Sequence, residues 1–301
     1  MQDRQLARVI ADSLSPDGVR ITTVETTMPR IVLAEANTHR DRERNSASSR
    51  AIPIEKMIQR VVSDPFVPED WGRNGKGMQA HGSLDEGLSL RAKMAWLDAR
   101  WHMVAAVNTL HELGVHKQLA NRLLEPFQWH TVIMTATEWS NFFNLRCSPQ
   151  AQPEIERTAS AIREAMHVSE PRVLAHGEWH LPFVDERDAE LTLADKLRVS
   201  TARLARVSYL THNGIRDVQH DFDLHDSLLS AGHMSPFGHP ARPMTRADVE
   251  ERMRFLGATG VDWGRARISD HFSGPFRGWV QYRKTIPGEH DIVGWKRGDY
   301  L

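Results

Sequence analysis

The residues best suited to chemistry lie in one short basic segment, residues 38–50. The segment combines four arginines with one histidine, one asparagine and three serines, and it has no bulky apolar side chain. Guanidinium groups bind phosphate oxygens bidentately, and short hydroxyls satisfy the remaining acceptor sites. A solvated basic loop is the alternative interpretation, but such loops are usually rich in lysine and glutamate. The composition therefore favours a binding site for an anion such as a phosphate dianion.

The same segment resembles a known signature. The family pattern is Arg-His-Arg, then seven residues, then a serine, with an arginine two positions later. The residues that match this pattern are His39, Arg40, Ser48 and Arg50. Thr38 replaces the first arginine of the pattern. The family that carries this signature is that of the flavin-dependent thymidylate synthases.

A second block strengthens the resemblance. Residues 141–146 read Asn-Phe-Phe-Asn-Leu-Arg and residues 151–155 read Ala-Gln-Pro-Glu-Ile, which is similar to the family's downstream block. Two blocks in the expected order make residues 29–166 similar to that family. The resemblance implies an α/β (α+β) fold with an antiparallel-containing sheet and long helices. It also implies a homotetramer whose sites are assembled between subunits.

The resemblance further implies reductive methylation of dUMP at C5. Methylenetetrahydrofolate would donate the carbon, reduced FAD the hydride, and NADPH would reduce the flavin. Ser48 and Arg146 would have catalytic roles, and Arg146 would stabilise negative charge that develops on the pyrimidine ring. The substrate-binding residues that the resemblance implies are Glu35, Ser46, Ser48, Ser49, Arg50, Arg122, Leu145 and Arg146.

The flavin site implied by the resemblance departs from the family at several positions. Ser46 stands where the family has glutamate, and Thr135 and Thr137 stand where it often has asparagine and arginine. These departures leave room for methylation or hydroxymethylation of dCMP or dUMP, or for an inactive nucleotide-binding or flavin-binding protein. The implied flavin-binding residues are His39, Arg40, Thr135, Thr137, Asn141, Gln150, Ser208, His233 and Ser235.

Two motifs in the last third of the chain suggest a permuted arrangement. Residues 205–209 and 232–239 resemble motifs from the family's N-terminus, but here they follow the signature. Residues 277–283 faintly resemble the entry to the signature segment, which favours a degenerate duplication. The expected organisation is a single intertwined catalytic unit with a signature-containing half at 1–166, a linker at 167–192, and a second half at 193–301 that completes the flavin site.

Composition excludes several other classes of protein. The chain has 301 residues and a formal net charge of -1, so a bulk electrostatic grip on nucleic acid is not expected. The lone Cys147 and the lack of a long apolar run favour a cytoplasmic protein that does not enter membranes. No activating base surrounds Cys147, so a thiolate mechanism is not favoured. The acidic and histidine-rich residues 220–226 suit a helix start better than a metal site.

Hydrophobic periodicity predicts the elements that position these residues. A stripe containing Leu90, Met94 and Trp101 is interpreted as core or subunit interface. Residues 1–16 are interpreted as a short helix or an arm. Predicted strands are residues 19–27, 131–137 and 207–210, with a strand or helix start at 278–284. Predicted helices are residues 30–37, 54–62, 117–124, 138–146, 193–204 and 222–231. A long helix is also predicted between a capping box at 83–86 and Gly114, and another starts at Ser148-Pro149. Residues 64–82 and 236–275 are predicted mostly as loop.

Overall fold

The fold is built around a mixed sheet of five strands. The computed structural model describes residues 6–209, 217–257 and 260–289. The strands of the sheet are β1 (Ala7–Leu14), β2 (Arg20–Pro29), β3 (Glu43–Ser46), β4 (Trp129–Ala136) and β5 (Arg172–Val173). Their order across the sheet is β3-β4-β2-β1-β5, and only the β1–β5 pair is parallel. This mixed sheet confirms the expected fold class.

Helices and short strands surround this sheet. The helices in the described residues are α1 (Leu33–Ala36), α2 (Ile54–Ser63), α3 (Glu86–Glu112), α4 (Lys117–Ala120), α5 (Ser140–Arg146), α6 (Pro153–His167), α7 (Leu193–Ala205), α8 (Val218–Ser230) and α9 (Arg246–Phe255). The short strands are β6 (Ala241–Pro243), β7 (Phe272–Ser273), β8 (Phe276–Arg277) and β9 (Trp279–Gln281). Short 3-10 turns occupy Arg30–Val32, Asn121–Phe127, Glu186–Asp188, Arg206–Tyr209, Pro236–Gly238, Ile268–Asp270 and Tyr282–Thr285.

Helix α6 covers one face of the sheet. Alternate residues of a strand point to the same face, so Val24 of β2 and Met134 of β4 both face this helix. Its buried residues Ile155 and Ile162 lie on one helical stripe and pack against them. The predicted apolar stripe of this helix is confirmed.

Three further clusters fix the remaining elements. On the sheet, Ile133 packs with Leu204 at the end of α7. A second cluster joins α2, α3 and the turn Asn121–Phe127. A third buries Trp279 of β9 against Ile21 of β2, which ties the C-terminal part of the described chain to the sheet.

Strand β1 corrects the predicted helix or arm at residues 1–16, of which residues 6–16 are described. Its Asp12 accepts hydrogen bonds from Arg20 Nε at 2.9 Å and Thr22 Oγ1 at 3.1 Å, both on β2. The strand carries a register shift between Val9 and Ala11 and pairs with β5 only through its last two residues. Cross-strand contacts, which a local pattern does not show, therefore decide its conformation.

Other boundaries also differ from the predictions. The basic segment contains the edge strand β3, and residues 206–209 form a 3-10 turn, not a strand. Helix α9 was missed within the predicted loop 236–275, although Thr245 and Asp248 form a capping box at its start. The box is a sequence signal, so this helix was predictable.

Two helix starts are also corrected. Asp85 caps α3, because its side chain accepts from the backbone N–H of Leu88, so the predicted box at residues 83–86 does not form. Helix α6 begins at Pro153, several residues after the predicted start, because Ser148 forms a turn with Ala151 instead. No helix among the described residues is long and apolar enough to cross a membrane.

Candidate functional site

The guanidinium of Arg146 joins the two sequence blocks. Arg146 ends α5, and its Nε donates to Nε2 of His39 at 3.1 Å. Its Nη1 donates to Glu35 Oε2 at 3.0 Å, and its Nη2 donates to Thr38 Oγ1 at 3.3 Å. Helix α1 presents Glu35, and the two other acceptors follow that helix directly. Three acceptors thus hold one cation whose side chain is 19% exposed.

Thr38 is the position at which the signature departs from its family. Its hydroxyl donates to the carbonyl oxygen of Glu35 at 2.6 Å and accepts from Arg146. An arginine at this position would place a second cation beside Arg146. The threonine instead supplies an acceptor, so the departure reduces positive charge at the site.

His39 is held in its neutral form. Its ring is buried, meets Phe142 edge-on at 5.1 Å and hydrogen-bonds to Asn141. Burial lowers the pKa of His39, and the charges of Arg42 and Arg146 lower it further. Because Nε2 accepts from Arg146, the neutral ring carries its proton on Nδ1.

Arg42 has a structural position that the sequence analysis did not identify. Its side chain is buried, and the guanidinium lies over the rings of Phe142 at 4.4 Å and Trp139 at 5.0 Å. Its Nη2 donates to Asp41 at 3.1 Å. Cation–π contacts of this kind stabilise an arginine that has left water. Arg42 therefore packs against the aromatic residues of the site and is not exposed to a ligand.

The arginines of residues 38–50 divide into two classes. Besides Arg42, Arg44 is committed internally, because its Nη1 donates to the carbonyl oxygen of Asn37 at 2.9 Å. Arg40 and Arg50 are exposed, and neither forms an ion pair with any described residue. Only these two guanidiniums of the segment remain available to an external anion.

Glu125 organises the predicted phosphate residues. Its Oε1 accepts from Arg122 Nη1 at 2.7 Å and from Ser49 Oγ at 3.1 Å. Arg30 Nη2 also donates to it, at 3.3 Å. The sequence analysis did not identify Glu125, although it lies inside the Arg-x-x-x-Pro pattern that selected Arg122. The structure therefore brings Ser49 and Arg122 together around a carboxylate.

Four more predicted residues lie near these groups in sequence. Ser48 Oγ accepts from the backbone N–H of Arg50 at 3.3 Å, and Ser46 pairs within β3 opposite Val132. Leu145 is 50% exposed and precedes Arg146 at the end of α5. Gln150 is exposed, and its carbonyl oxygen accepts from the side chain of Gln79 at 3.5 Å.

Thr135 and Thr137 are committed to internal hydrogen bonds. Thr135 is fully buried, and its hydroxyl bonds with Thr23 Oγ1 at 2.6 Å and with His239 Nδ1 at 2.8 Å. Thr137 Oγ1 accepts from the backbone N–H of Arg277 at 3.0 Å. Both side chains join the sheet to the C-terminal part of the chain.

A buried polar chain continues from Thr135. Thr23 Oγ1 bonds with His180 Nε2 at 2.8 Å, and the other ring nitrogen bonds with Ser13 at 3.0 Å. Burial lowers the pKa of His180 and of His239 to about 3, so both rings are neutral. His239 Nε2 has no hydrogen-bond partner among the described residues. His180 gave no signal in the sequence, whereas His239 ends the Gly-His motif at 232–239.

The C-terminal motifs meet the signature strand. Ser235 Oγ donates to the carbonyl oxygen of Arg44 at 2.9 Å, and Asn45 Nδ2 donates to the carbonyl oxygen of Leu204 at 2.7 Å. His233 is exposed. Ser208 belongs to the turn Arg206–Tyr209, and its side chain lies outside the described part of the structure.

The acidic and histidine-rich residues 220–226 serve the packing of α8. Asp221 is buried and accepts from Arg203 at 3.1 Å and from Arg206. Within residues 6–209, 217–257 and 260–289, no group of three or more His, Cys, Asp or Glu side chains is arranged to hold a metal ion.

Comparisons with known proteins identify a family and solved structures to which the chain is similar. The model of the family described as Thy1, thymidylate synthase complementing protein, matches residues 18–172. Two solved structures of a UMP/dUMP methylase, PolB, from Streptomyces cacaoi align with 49% of this chain. The complex with 5-Br UMP has 16% identity and a TM-score of 0.42 over 68% of its chain, and the complex with 5-Br dUMP has 18% and 0.40 over 65%.

The family match shows which part of the chain resembles the family. It covers both blocks, and it ends before the motifs at 205–209 and 232–239, so the permuted arrangement stays a prediction. No curated protein matches the chain significantly. Since the family model covers more than half of the sequence, the chain belongs to the Thy1 family of thymidylate synthase complementing proteins.

Proposed function

We propose that this protein is a flavin-dependent thymidylate synthase that converts dUMP to dTMP. The observation that carries the proposal is the contact of Arg146 with His39, which joins the two family blocks in one site. A guanidinium fixed by three acceptors keeps its orientation when a ligand arrives, and preorganised donors of this kind supply much of an enzyme's electrostatic stabilisation.

In this proposal the chain's own residues bind and orient the nucleotide. Arg50 and Arg122 are exposed and would bind its phosphate together with Ser48 and Ser49. Arg146 would donate to the pyrimidine ring, where one well-placed donor contributes about 3 kcal/mol to transition-state stabilisation. Glu35, Ser46 and Leu145 complete the proposed substrate site.

His39, Arg40 and Asn141 fit a flavin dinucleotide. Arg40 is an exposed guanidinium without an ion pair in the described residues, which suits a pyrophosphate, and His39 is a neutral ring fixed by Asn141. Thr135 does not fit, because its hydroxyl is buried and bonded to other side chains. When bound, reduced FAD would supply the hydride, with NADPH and methylenetetrahydrofolate as co-substrates.

The proposed catalytic unit includes the C-terminal third. Three hydrogen bonds support this: Ser235 to Arg44, Asn45 to Leu204, and Gln281 to Glu43 at 2.8 Å. They link residues 193–301 to the signature strand β3, so the halves at 1–166 and 193–301 would act as one unit around the 167–192 linker. His233, Ser235 and Ser208 would complete the flavin site.

We propose a homotetramer as the assembled form. On α3, Leu90, Met94 and Trp101 are 58%, 62% and 50% exposed, whereas Val104 at the end of the same predicted stripe is 6% exposed and packs in the core. The first part of the stripe therefore does not belong to the core of one chain. Exposed apolar stripes of this kind are typical of protein interfaces. Analytical ultracentrifugation of the purified protein tests the oligomeric state.

The reaction is tested by product analysis. Purified protein receives dUMP and dCMP side by side with methylenetetrahydrofolate, NADPH and FAD, and dTMP is the expected product. A product from dCMP, or a hydroxymethyl product, would replace the proposal with the related reaction. Binding of nucleotide and FAD without turnover would indicate an inactive binding protein.

Arg146→Lys should lower kcat by about 100-fold or more, because lysine keeps the charge but loses the planar fork. The matched control is Arg163→Lys, an exposed arginine on α6. Wild-type kcat in Arg146→Lys would remove this residue from the catalytic site.

A further inference from the structure

A cavity of about 500 Å³ lies between α2 and the sheet. None of Arg146, His39, Glu35 and Thr38 lines it. Its volume is in the range of binding sites for small organic molecules. Met57 of α2 and the aromatic residues Phe127 and Trp129 supply apolar wall. The cavity therefore offers apolar surface that suits a flat ring.

Arg60 of α2 brings an unbalanced positive charge to this cavity. It is partly buried, and burial lowers the pKa of its guanidinium. The other arginines of the wall have acidic partners: Arg8 pairs with Glu25 at 2.7 Å, and Arg30 pairs with Glu125 at 3.3 Å. Among the described residues, no carboxylate forms an ion pair with Arg60.

Gln128 brings an unused hydrogen-bond donor to the same cavity. The residue is 7% exposed, and its Nε2 is buried without a hydrogen-bond partner in the described part of the chain. A buried amide N–H without an acceptor lowers stability. Arg60 and Gln128 thus bring one cation and one neutral donor without protein partners to the wall of the same cavity, where an anion would satisfy both.

We propose that this cavity binds a small aromatic carboxylate. Arg60 and Gln128 would donate to the carboxylate, and the ring would lie against the apolar wall. One unpaired guanidinium balances a monoanion and leaves a phosphate dianion with excess charge. Asp64 also lines the cavity, but it is exposed to solvent, which screens its charge. The cavity shares Ser49 with the proposed nucleotide site and adjoins it through Arg30, which lines the cavity and donates to Glu125.

Isothermal titration calorimetry with 2-naphthoate tests the proposal on the full-length protein. The neutral 2-naphthamide and the dianionic 2-naphthyl phosphate share its ring and differ in charge. We expect 2-naphthoate to bind at least about tenfold more tightly than the amide, as charge-assisted hydrogen bonds require. No binding of 2-naphthoate, equal binding of the amide, or tighter binding of the phosphate would each overturn the proposal.

Arg60→Met tests the role of the cation, because methionine keeps the apolar stem and removes the charge. This substitution should weaken the binding of 2-naphthoate by about tenfold or more and leave the affinity for 2-naphthamide unchanged. Lys56→Met, an exposed position on the same helix, is the matched control.

The melting temperature of the Arg60→Met variant gives a second readout. It should equal or exceed that of the wild type, because a partly buried charge without a counter-ion is removed. A large fall in melting temperature, or unchanged 2-naphthoate affinity, would show that Arg60 has a structural role only. Neither readout depends on the methylation reaction.

Discussion

Glu125 is the residue whose charge most constrains phosphate binding. It accepts hydrogen bonds from Ser49, Arg122 and Arg30, so a carboxylate already satisfies donors that a phosphate would use. A phosphate that binds there meets the negative charge of Glu125 as well as the positive charges of Arg122 and Arg30. Glu125 therefore fixes the geometry of the donors at some cost in affinity.

The substitution Glu125→Gln should tighten dUMP binding about fivefold. It removes one negative charge near the phosphate, and such an interaction is worth about 1 kcal/mol when it is well solvated. Calorimetric titration with dUMP measures the effect, and Glu164→Gln on the exposed side of α6 is the control. Weaker dUMP binding would mean that the orientation of Ser49 and Arg122 matters more than the charge.

Arg50→Ala should act in the opposite direction. The loss of one charge-assisted hydrogen bond costs about 1.5 to 3 kcal/mol, so the dUMP dissociation constant should rise about tenfold or more. FAD content, measured by absorbance of the purified protein, should stay at the wild-type level. Unchanged dUMP affinity in Arg50→Ala would remove this arginine from the proposed phosphate site.

At the scale of elements, strand β3 is held between the sheet and the C-terminal segment. On one side it pairs with β4. On the other side, Gln281 of β9 donates to Glu43 at 2.8 Å and to the carbonyl oxygen of Gly238 at 2.7 Å. Gly238 lies against the same glutamate, since a Cβ added to it would be 2.6 Å from Glu43 Cδ. The signature strand thus depends on residues that are distant in sequence.

Gly238→Ala should destabilise the protein by about 1 to 3 kcal/mol, the usual range for overpacking a filled interior. The added methyl group displaces Glu43, which breaks its bond to Gln281. Chemical denaturation measures the effect. Gly87→Ala is the control, because its Cβ would meet only an ordinary contact at 3.5 Å on helix α3. Equal stability of the two variants would show that Glu43 moves away from the added methyl group at little cost in free energy.

Particular elements show what the sequence could predict. Strand β2 is rich in β-branched residues, β4 has the composition of a buried strand, and helix α6 follows a helical apolar stripe, so all three were found. Strand β1 was missed because its register shift between Val9 and Ala11 interrupts the two-residue alternation. The short motifs selected Arg146 and His39, and these two meet in the structure.

Other parts of the site could not be read from local sequence. Nothing local distinguishes Arg42, buried under two aromatic rings, from the exposed Arg40 two positions earlier. The burial of Thr135 depends on Thr23 and His239, which are far from it in the chain. Roles that depend on long-range packing therefore required the structure.

At the scale of the whole molecule, buried histidines make stability depend on pH, and three of the five in the described residues have the largest pKa shifts. Burial lowers the pKa of His130, His180 and His239 from an ordinary 6.5 to about 3. Below pH 6.5 the unfolded chain binds protons at these rings, while the folded chain does not bind them until about pH 3. The contribution of these neutral histidines to the free energy of unfolding is complete above pH 6.5 and is lost as the pH falls toward 3.

The free energy of unfolding should therefore fall by about 4 kcal/mol per pH unit well below pH 6.5, at about 1.4 kcal/mol for each ring. Denaturation curves between pH 6 and pH 5 measure this slope. His180→Gln should reduce the slope by about a third, whereas His233→Gln, an exposed position, should leave it unchanged. An identical slope in all three proteins would show that His180 is protonated in the folded state.

The interrupted strand β1 also bears on how the chain avoids aggregation. Strand β4 begins about 100 residues after β2 ends, so during synthesis at about 5 to 20 residues per second the β1–β2 hairpin waits several seconds for its partner. Its unpaired edges would invite other nascent chains. Strand β4 later covers the β2 edge, whereas the β1 edge later pairs with β5 only through Ser13 and Leu14. The register shift bends this β1 edge, and Arg8 and Asp12 lie on it, so a second strand cannot add there in register without burying charge. The register shift that made β1 hard to predict from the sequence thus also reduces strand addition at the β1 edge of the hairpin during synthesis.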